Sequence, residues 1–480
     1  MADKDAAPTA PKKVVLVDIR REGEKLILPS KMTYMEGINA LHQQMQAEEN
    51  EVQVSELIDG FIWDGAYALY KAMEQKFGFA NQVPIPGFFG PQPPQMVTIE
   101  TGFETSVQIP WGRFTLPGLD GWVQTGTGRK GPYLVLAVIA MVKKKHEGVI
   151  KELCALAREY LKKESIYKGN AFKIYFTDPK SGAVLPIPQA SFMDLSKVQV
   201  PIFSREVAAA VETSLLTPIE KREECRRLGV PAKRGILLSG PFGTGKTLVS
   251  YMSAWLGVKN GWTFIYCNTA ADLSQCVEFA RQYQPAIIFC EDVDREAAGG
   301  RTEDMDKLLN IIDGIDSKGQ ELMVVLTTND VSSINKAMLR PGRLDAVIHV
   351  APPDAEAVVK LIHLYGGGLV PSNEDLTEVA KQLEGTIPAV IRECVERAKL
   401  AALRDCQKGE LPKVLKSEHL LQASMSMKNQ LDLLNAPEKT KPLHLESALA
   451  ELVKKSQVPL RYNDETEQYE PVATNGNGQH

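Results

Sequence analysis

The chain has 480 residues, 44% hydrophobic and 24% charged, with a formal net charge of −5 at pH 7. That length predicts about two to four domains with room for sizeable cores, and the composition is ordinary for a soluble globular protein. The slight acidity excludes a surface that is basic all over, and seven cysteines without a C-x-x-C pair exclude a disulfide framework and a zinc site of that kind.

Met1 to Lys13 carries no apolar core of a secretory signal, and the longest apolar run, Tyr133 to Val142, is too short to span a bilayer. A soluble, cytoplasmic protein without membrane contact is expected. Residues 1–13 read as a flexible start. Val14 to Asp18 and Lys25 to Leu28 read as strands, and Tyr34 to Glu48 and Leu57 to Phe77 as helices. The Pro-, Gly- and aromatic-rich stretch 83–128 predicts short strands and turns. Tyr133 to Val142 follows as a buried strand, His146 to Lys163 as an amphipathic helix and Ala171 to Phe176 as a strand. Together they make a separate α+β N-terminal domain, 14–185, without a catalytic motif. Basic residues exceed acidic ones between Arg129 and Lys180, with dense points at Lys143 to Lys145 and Lys162-Lys163. Such a run reads first as a solvated face, and second as a docking patch for an acidic partner or nucleic acid.

A Pro-punctuated connector then leads into a second domain, 186–351. Arg205 to Leu215 and Pro218 to Leu228 are helical by pattern. Strands are predicted at Gly235 to Ser239, Thr263 to Cys267, Ala286 to Cys290, Leu322 to Leu326 and Val347 to Val350, with helices at Leu273 to Tyr283 and Asp306 to Ile315 between them. Strands alternating with helices specify an α/β fold with a doubly wound parallel sheet. Asp354 to Tyr365, Leu376 to Leu383, Pro388 to Arg404 and Ser417 to Leu434 form a helical lid, 352–435. Residues 436–480 carry one helix, 443–455, and a polar tail that reads as disordered.

The chemistry centres on Gly240-Pro241-Phe242-Gly243-Thr244-Gly245-Lys246-Thr247, which matches G-x-x-x-x-G-K-[ST] between an apolar strand and a helix opening at Leu248. The glycines free the backbone to turn its N–H groups inward as an anion nest, and the helix N-terminus adds its positive end. Lys246 would reach the β- and γ-phosphates of a nucleoside triphosphate, and the Thr247 hydroxyl would ligate Mg²⁺. Glu291, Asp292 and Asp294 close a buried strand at the end where ligands bind in such sheets. Asn329 ends the next strand, placed to hold an attacking water. Arg340 and Arg343 lie in Leu-Arg-Pro-Gly-Arg-Leu-Asp, suited to reach a neighbouring subunit's γ-phosphate as arginine fingers.

From about Ile202 to Leu434 the chain resembles an AAA module of the AAA+ P-loop ATPases, related to katanin, spastin and the proteasomal ATPases. The resemblance rests on the P-loop (Walker A), Ile-Ile-Phe-Cys-Glu-Asp-Val-Asp (Walker B), Leu-Leu-Asn-Ile-Ile-Asp-Gly-Ile-Asp, Thr-Thr-Asn and the Arg-Pro-Gly-Arg segment, in the family's order. It implies an ATPase binding ATP and Mg²⁺, with ATP held between subunits of a homo-oligomeric ring, usually a hexamer, and Arg340 and Arg343 acting in trans. By position Glu291 takes the metal role with Thr247, and Asp292 the role of base. The implied function is remodelling of proteins or complexes, with the N-terminal domain as adaptor to an unknown protein partner. The alternatives are a nucleic-acid-associated loader or regulator and a slow-turnover nucleotide-dependent scaffold.

Four departures from the family stand in the chain. Its metal strand ends Glu291-Asp292 where the family has Asp-Glu, which implies a base one methylene shorter and slower hydrolysis. Pro201-Ile202-Phe203-Ser204 replaces Asp-Ile-Gly-Gly beside the nucleotide. Asn268 to Ser274 lacks the aromatic of the substrate-gripping loop, so the resemblance does not carry substrate threading. Pro388-Ala389-Val390 replaces the lid's Gly-Ala-Asp.

Overall fold

A computed structural model describes residues 20–22, 25–27, 32–88, 90–131, 133–178, 180–231, 234–294, 321–331, 344–407, 409–427, 460–463 and 468–471. The strand expected at 14–18, the helices expected at 306–315 and 443–455, and Arg340 and Arg343 lie outside these residues. The chain divides into two compact units, Met1–Glu393 and Cys394–His480.

The first unit opens with an α+β region built on its own five-stranded antiparallel sheet. The strand order is Glu51–Ile58, Tyr133–Lys143, Gly121–Lys130, Arg113–Thr115 and Asn81–Val83. The apolar run at 133–143 sits centrally because both of its edges find partners, from Glu51↔Lys143 to Ile58↔Leu136 on one side. Helices Ile62–Phe77 and Glu147–Lys163 belong to the same region, and Ile62, Ala66, Leu69 and Met73 recur at helical spacing on the buried face of the first. At Gly65 a Cβ would fall 2.9 Å from the Leu136 Cβ, so helix and sheet meet there at backbone range.

The helix expected over 57–77 is in fact two elements. Residues 51–58 bury Val54 and Ile58 with the period of a strand, and Gly60, at φ 91°, turns the chain into the helix that starts at Ile62. Further on, Gln95–Gly102 and Thr105–Trp111 pair as a hairpin.

The P-loop sheet has seven strands in the order Val184–Phe192, Ala171–Thr177, Thr263–Cys267, Ala286–Cys290, Leu322–Thr328, Arg234–Ser239 and Ala346–His349. Its last six strands are parallel, and the first, Val184–Phe192, pairs antiparallel with Ala171–Thr177 as a hairpin at one edge. Ile236, Leu237, Leu238, Ile287, Ile288 and Phe289 are fully buried, as unbroken apolar runs covered on both faces require.

The sheet therefore crosses the domain boundary expected at 185. Ala171–Thr177 runs parallel to Thr263–Cys267, from Ala171↔Phe264 to Ile174↔Cys267, so this hairpin belongs to the P-loop sheet. An aromatic cluster seals the junction. Tyr167 packs against Phe61, Phe172, Phe192, Phe279 and Tyr283, with ring centroids 5.2–6.2 Å apart. At its heart Phe61 N donates to Tyr283 Oη at 2.6 Å.

After the sheet come helices Ala355–Gly366, capped by Asp354 accepting from Ala357 N at 2.9 Å, and Thr377–Leu383. Helix Pro388–Arg404 begins in the first unit. The second unit holds its C-terminal part, helix Ser417–Ser426 and, where a disordered tail was expected, the hairpin Leu460–Asn463 with Gln468–Pro471. Cys394 Sγ donates to Leu420 O at 3.5 Å within that unit. Among the described residues no helix is long and apolar enough to cross a membrane.

Candidate functional site

The site grows from the end of the strand Arg234–Ser239. Gly240, Gly243 and Gly245 all take positive φ, 151°, 76° and 102°, which bends the chain back over the strand end before helix Lys246–Lys259 begins. At Gly240 a Cβ would stand 2.2 Å from Val350 O, closer than any side chain tolerates. Thr244, buried, donates its hydroxyl to Pro241 O at 2.9 Å and pins the loop on itself. Phe242, Thr247 and Leu248 are exposed at its rim. The 14-residue helix points its unpaired N–H groups and positive dipole end at the loop, an arrangement that receives anions.

Lys246 is almost wholly buried, and its ammonium makes three short hydrogen bonds. It donates to Gly240 O at 2.7 Å, to Pro241 O at 2.8 Å and to Asn329 Oδ1 at 2.9 Å. Burial lowers its pKa from the usual lysine value, and the charges of Asp292, Asp294 and Glu291 oppose that shift. A charged ammonium held against carbonyls inside a glycine loop is a fixed cation awaiting a stronger acceptor.

The carboxylates stand at the end of the fully buried strand Ala286–Cys290. Asp292 adopts φ 47°, unusual without glycine, and its N–H donates to Thr327 Oγ1 at 3.0 Å. Val293 N donates to Thr327 O at 3.0 Å, so two successive bonds to the neighbouring strand support that backbone. Asn329 ties the two sides of the site together. Its amide nitrogen donates to Asp292 Oδ1 at 2.8 Å while its carbonyl oxygen holds Lys246. Its own N–H donates to Asp294 Oδ1 at 3.2 Å. Glu291 accepts from the Tyr266 hydroxyl at Oε2, 2.7 Å, and its Oε1 is buried without a hydrogen-bond partner.

These residues line one cleft of about 290 Å³, walled by Phe242, Lys246, Thr247, Glu291, Asp292 and Asn329 among others. The described site residues expected from the sequence thus come together. Arg340 and Arg343 lie outside the described residues. Ile387 and Tyr266 were not singled out beforehand, and Phe203 was named only as part of a departing segment. Phe203, in the segment replacing Asp-Ile-Gly-Gly, puts its ring where a Cβ on Gly245 would approach within 3.2 Å, and Ile387 does the same at 3.3 Å from Gly243. Tyr266 sits inside a strand whose sequence reads simply as core. Only its register two residues short of the Glu291 level hints at more.

Part of the basic stretch of the N-terminal region is paired in place. Lys143 pairs with Glu49 at 2.7 Å and Asp120 at 3.1 Å, Lys145 with Glu49, and Lys130 with Asp59 at 2.6 Å. The Lys143 and Lys145 ammoniums hold the Glu49 carboxyl down at about 2, well below its usual range.

Residues 236–352 match the family model described as the ATPase family associated with various cellular activities (AAA). The proteasome-activating nucleotidase of Methanococcus maripaludis is 28% identical over 268 residues, 52% of this chain and 61% of that protein. The 26S proteasome regulatory subunit 10B homolog A of Arabidopsis thaliana is 29% identical over 220 residues, 42% of this chain and 54% of the relative. Protein SAV of Sulfolobus acidocaldarius is 27% identical over 297 residues, 58% of this chain and 37% of that protein. The chain therefore spans less than two thirds of each relative's length. Matched family model, motif order and P-loop sheet agree that residues 236–352 form an AAA-family ATPase module.

Proposed function

We propose that the chain binds ATP with Mg²⁺ in the P-loop cleft, hydrolyses it, and uses that turnover in a ring of its own copies to remodel a protein partner. The observation that carries the reading is the chain of hydrogen bonds Lys246–Asn329–Asp292. It links a buried cation at the phosphate loop to a carboxylate placed to activate water.

Nucleotide phosphates compete with Gly240 O and Pro241 O for the Lys246 ammonium, and the charge of the phosphates decides that competition. The loop N–H groups and the helix N-terminus supply the remaining donors. The orphaned, buried Glu291 Oε1 and the exposed Thr247 hydroxyl on the same cleft fit a divalent cation. Among the described residues no cluster of three or more His, Cys, Asp or Glu is arranged for a metal. Two protein oxygens with phosphate and water completing the shell is the usual way Mg²⁺ is held beside ATP. When bound, Mg²⁺ neutralises charge on the β- and γ-phosphates.

Asp292 Oδ1 accepts from Asn329 Nδ2, and the Asp292 carboxylate would take the proton of an attacking water that Asn329 orients. Arg340 and Arg343 would come from the neighbouring copy and meet charge developing on the γ-phosphate. Seven free cysteines, none in a disulfide, suit work in a reducing compartment such as the cytoplasm. The ion pairs that occupy Lys130, Lys143 and Lys145 weigh against the nucleic-acid alternative.

ATP turnover by the full chain, set beside Lys246→Ala, tests the reading. Wild type should release phosphate and Lys246→Ala should neither bind ATP nor turn it over. Equal ATP affinity in the two proteins would overturn it.

A further inference from the structure

Glu291 is not held by the P-loop. Among the described residues its one side-chain hydrogen bond comes from the adjacent strand, where the Tyr266 hydroxyl donates to Oε2 at 2.7 Å. The Tyr266 ring is itself clamped from both sides along the sheet. It is the register partner of Phe289, with the two rings nearly parallel at 20° and 6.3 Å apart, and of Lys173 on the other side. The Lys173 ammonium lies 4.8 Å from the centre of the ring. Phe289 lies on the strand Ala286–Cys290 and Glu291 directly follows its end, within reach of the phenol across the register.

We propose that Tyr266 is a positioning residue for the metal-binding carboxylate. By occupying Glu291 Oε2 it fixes the rotamer and presents the unpartnered Oε1 to the divalent cation that accompanies the nucleotide. The inference rests on the Mg²⁺–ATP reading above and gives the inverted Glu291-Asp292 pair a physical account. Glutamate, one methylene longer than the aspartate the family places there, is steadied by a phenol on the next strand. Lys173 belongs to the hairpin that joins the P-loop sheet from the N-terminal side, so that hairpin ends one contact away from the metal ligand.

Tyr266→Phe removes only the hydroxyl and keeps the ring between Phe289 and Lys173. Two readouts decide: the dissociation constant of a fluorescent ATP analogue in EDTA, and the Mg²⁺ concentration for half-maximal tightening of that analogue and for half-maximal hydrolysis. The EDTA constant should stay within about twofold. The Mg²⁺ midpoints should rise about tenfold, the worth of one hydrogen bond to a charged group. In a Glu291→Gln background the same substitution should add little, because its target is already lost. Mg²⁺ curves that superimpose on wild type would overturn the role, and so would a uniform drop in turnover at an unchanged Mg²⁺ midpoint with a lowered Tm. If the wild-type chain shows no Mg²⁺ response, the ATPase reading fails first and the positioning role falls with it.

Discussion

Lys246 and Asp292, on opposite sides of the cleft, are hydrogen-bonded to the same side chain, that of Asn329. Asn329 accepts from Lys246 at 2.9 Å and donates to Asp292 at 2.8 Å. The amide satisfies both at once without a charge of its own, a carbonyl facing the ammonium and an NH₂ facing the carboxylate.

Asn329→Asp keeps the acceptor for Lys246 and turns the donor into a second carboxylate oxygen facing Asp292. ATP affinity should hold within a few-fold while kcat falls by about 10², the size seen when one preorganised donor is lost. Parallel measurement of Kd and kcat checks this. Equal losses in both would show that Asn329 serves binding rather than the chemical step.

The adjacent carboxylates should separate by function. Asp292→Asn removes the base but can keep its bond to Asn329 through the remaining carbonyl oxygen, so ATP stays bound and is not cleaved. Glu291→Gln should instead raise the Mg²⁺ requirement. A trapped ATP complex in Glu291→Gln beside normal turnover in Asp292→Asn would exchange the two roles.

Gly240→Ala tests the loop's construction. The new Cβ would sit 2.2 Å from Val350 O at φ 151°, so either the loop or the last strand must yield. A loss of about 1–3 kcal/mol in urea unfolding is expected, with weakened nucleotide binding. Gly261→Ala shares the positive φ, at 75°, but meets nothing within 4 Å, and should cost less.

Some of this was legible in the chain and some was not, for reasons that are physical. The P-loop, Glu291-Asp292 and Asn329 read directly because each follows a buried strand locally, and the parallel sheet brings strand ends together by construction. Leu57 and Ile58 read as the start of a helix because Leu57, Ile58, Phe61 and Ile62 mimic helical spacing across a turn that only Gly60 breaks. The expected boundary at 185 cuts through the hairpin 171–192 because sheet membership is settled by pairing such as Lys173↔Tyr266, a long-range fact that local pattern does not carry. The lysines at 143 and 145 looked free for the same reason, since Glu49 and Asp120 are distant in sequence.

The assembly itself can be tested through the arginines. A trans arginine is worth roughly 10³–10⁵ in rate in related phosphoryl transfer. Arg343→Ala should therefore bind ATP and fail to cleave it, and mixing it with Lys246→Ala should restore part of the activity at shared interfaces. Specific activity should rise with protein concentration. A constant specific activity from a species that sizes as one chain would sink the ring.

The last expectation concerns pH and the junction between the N-terminal region and the P-loop sheet. Asp64 is buried there, accepting from Ser165 Oγ at 2.6 Å and Ile166 N at 2.9 Å, close to the Tyr283 hydroxyl. Burial raises its pKa from an ordinary 3.8 to about 6, and these hydrogen bonds only partly offset the shift. The folded state therefore holds the proton more tightly than the unfolded chain does. Asp64's contribution to stability should be greatest below about pH 4, decline as pH rises to about 6, and stay level above that, an effect of about 2–3 kcal/mol. Asp64→Asn keeps an acceptor for Ile166 N and can donate to Ser165 Oγ, so it should fold and lose this slope. Urea midpoints of the two proteins between pH 4 and 7 supply the comparison: their difference should grow with pH in favour of the variant. A constant difference would mean that Asp64 stays ionised throughout and that the junction is held by a charge rather than by a proton.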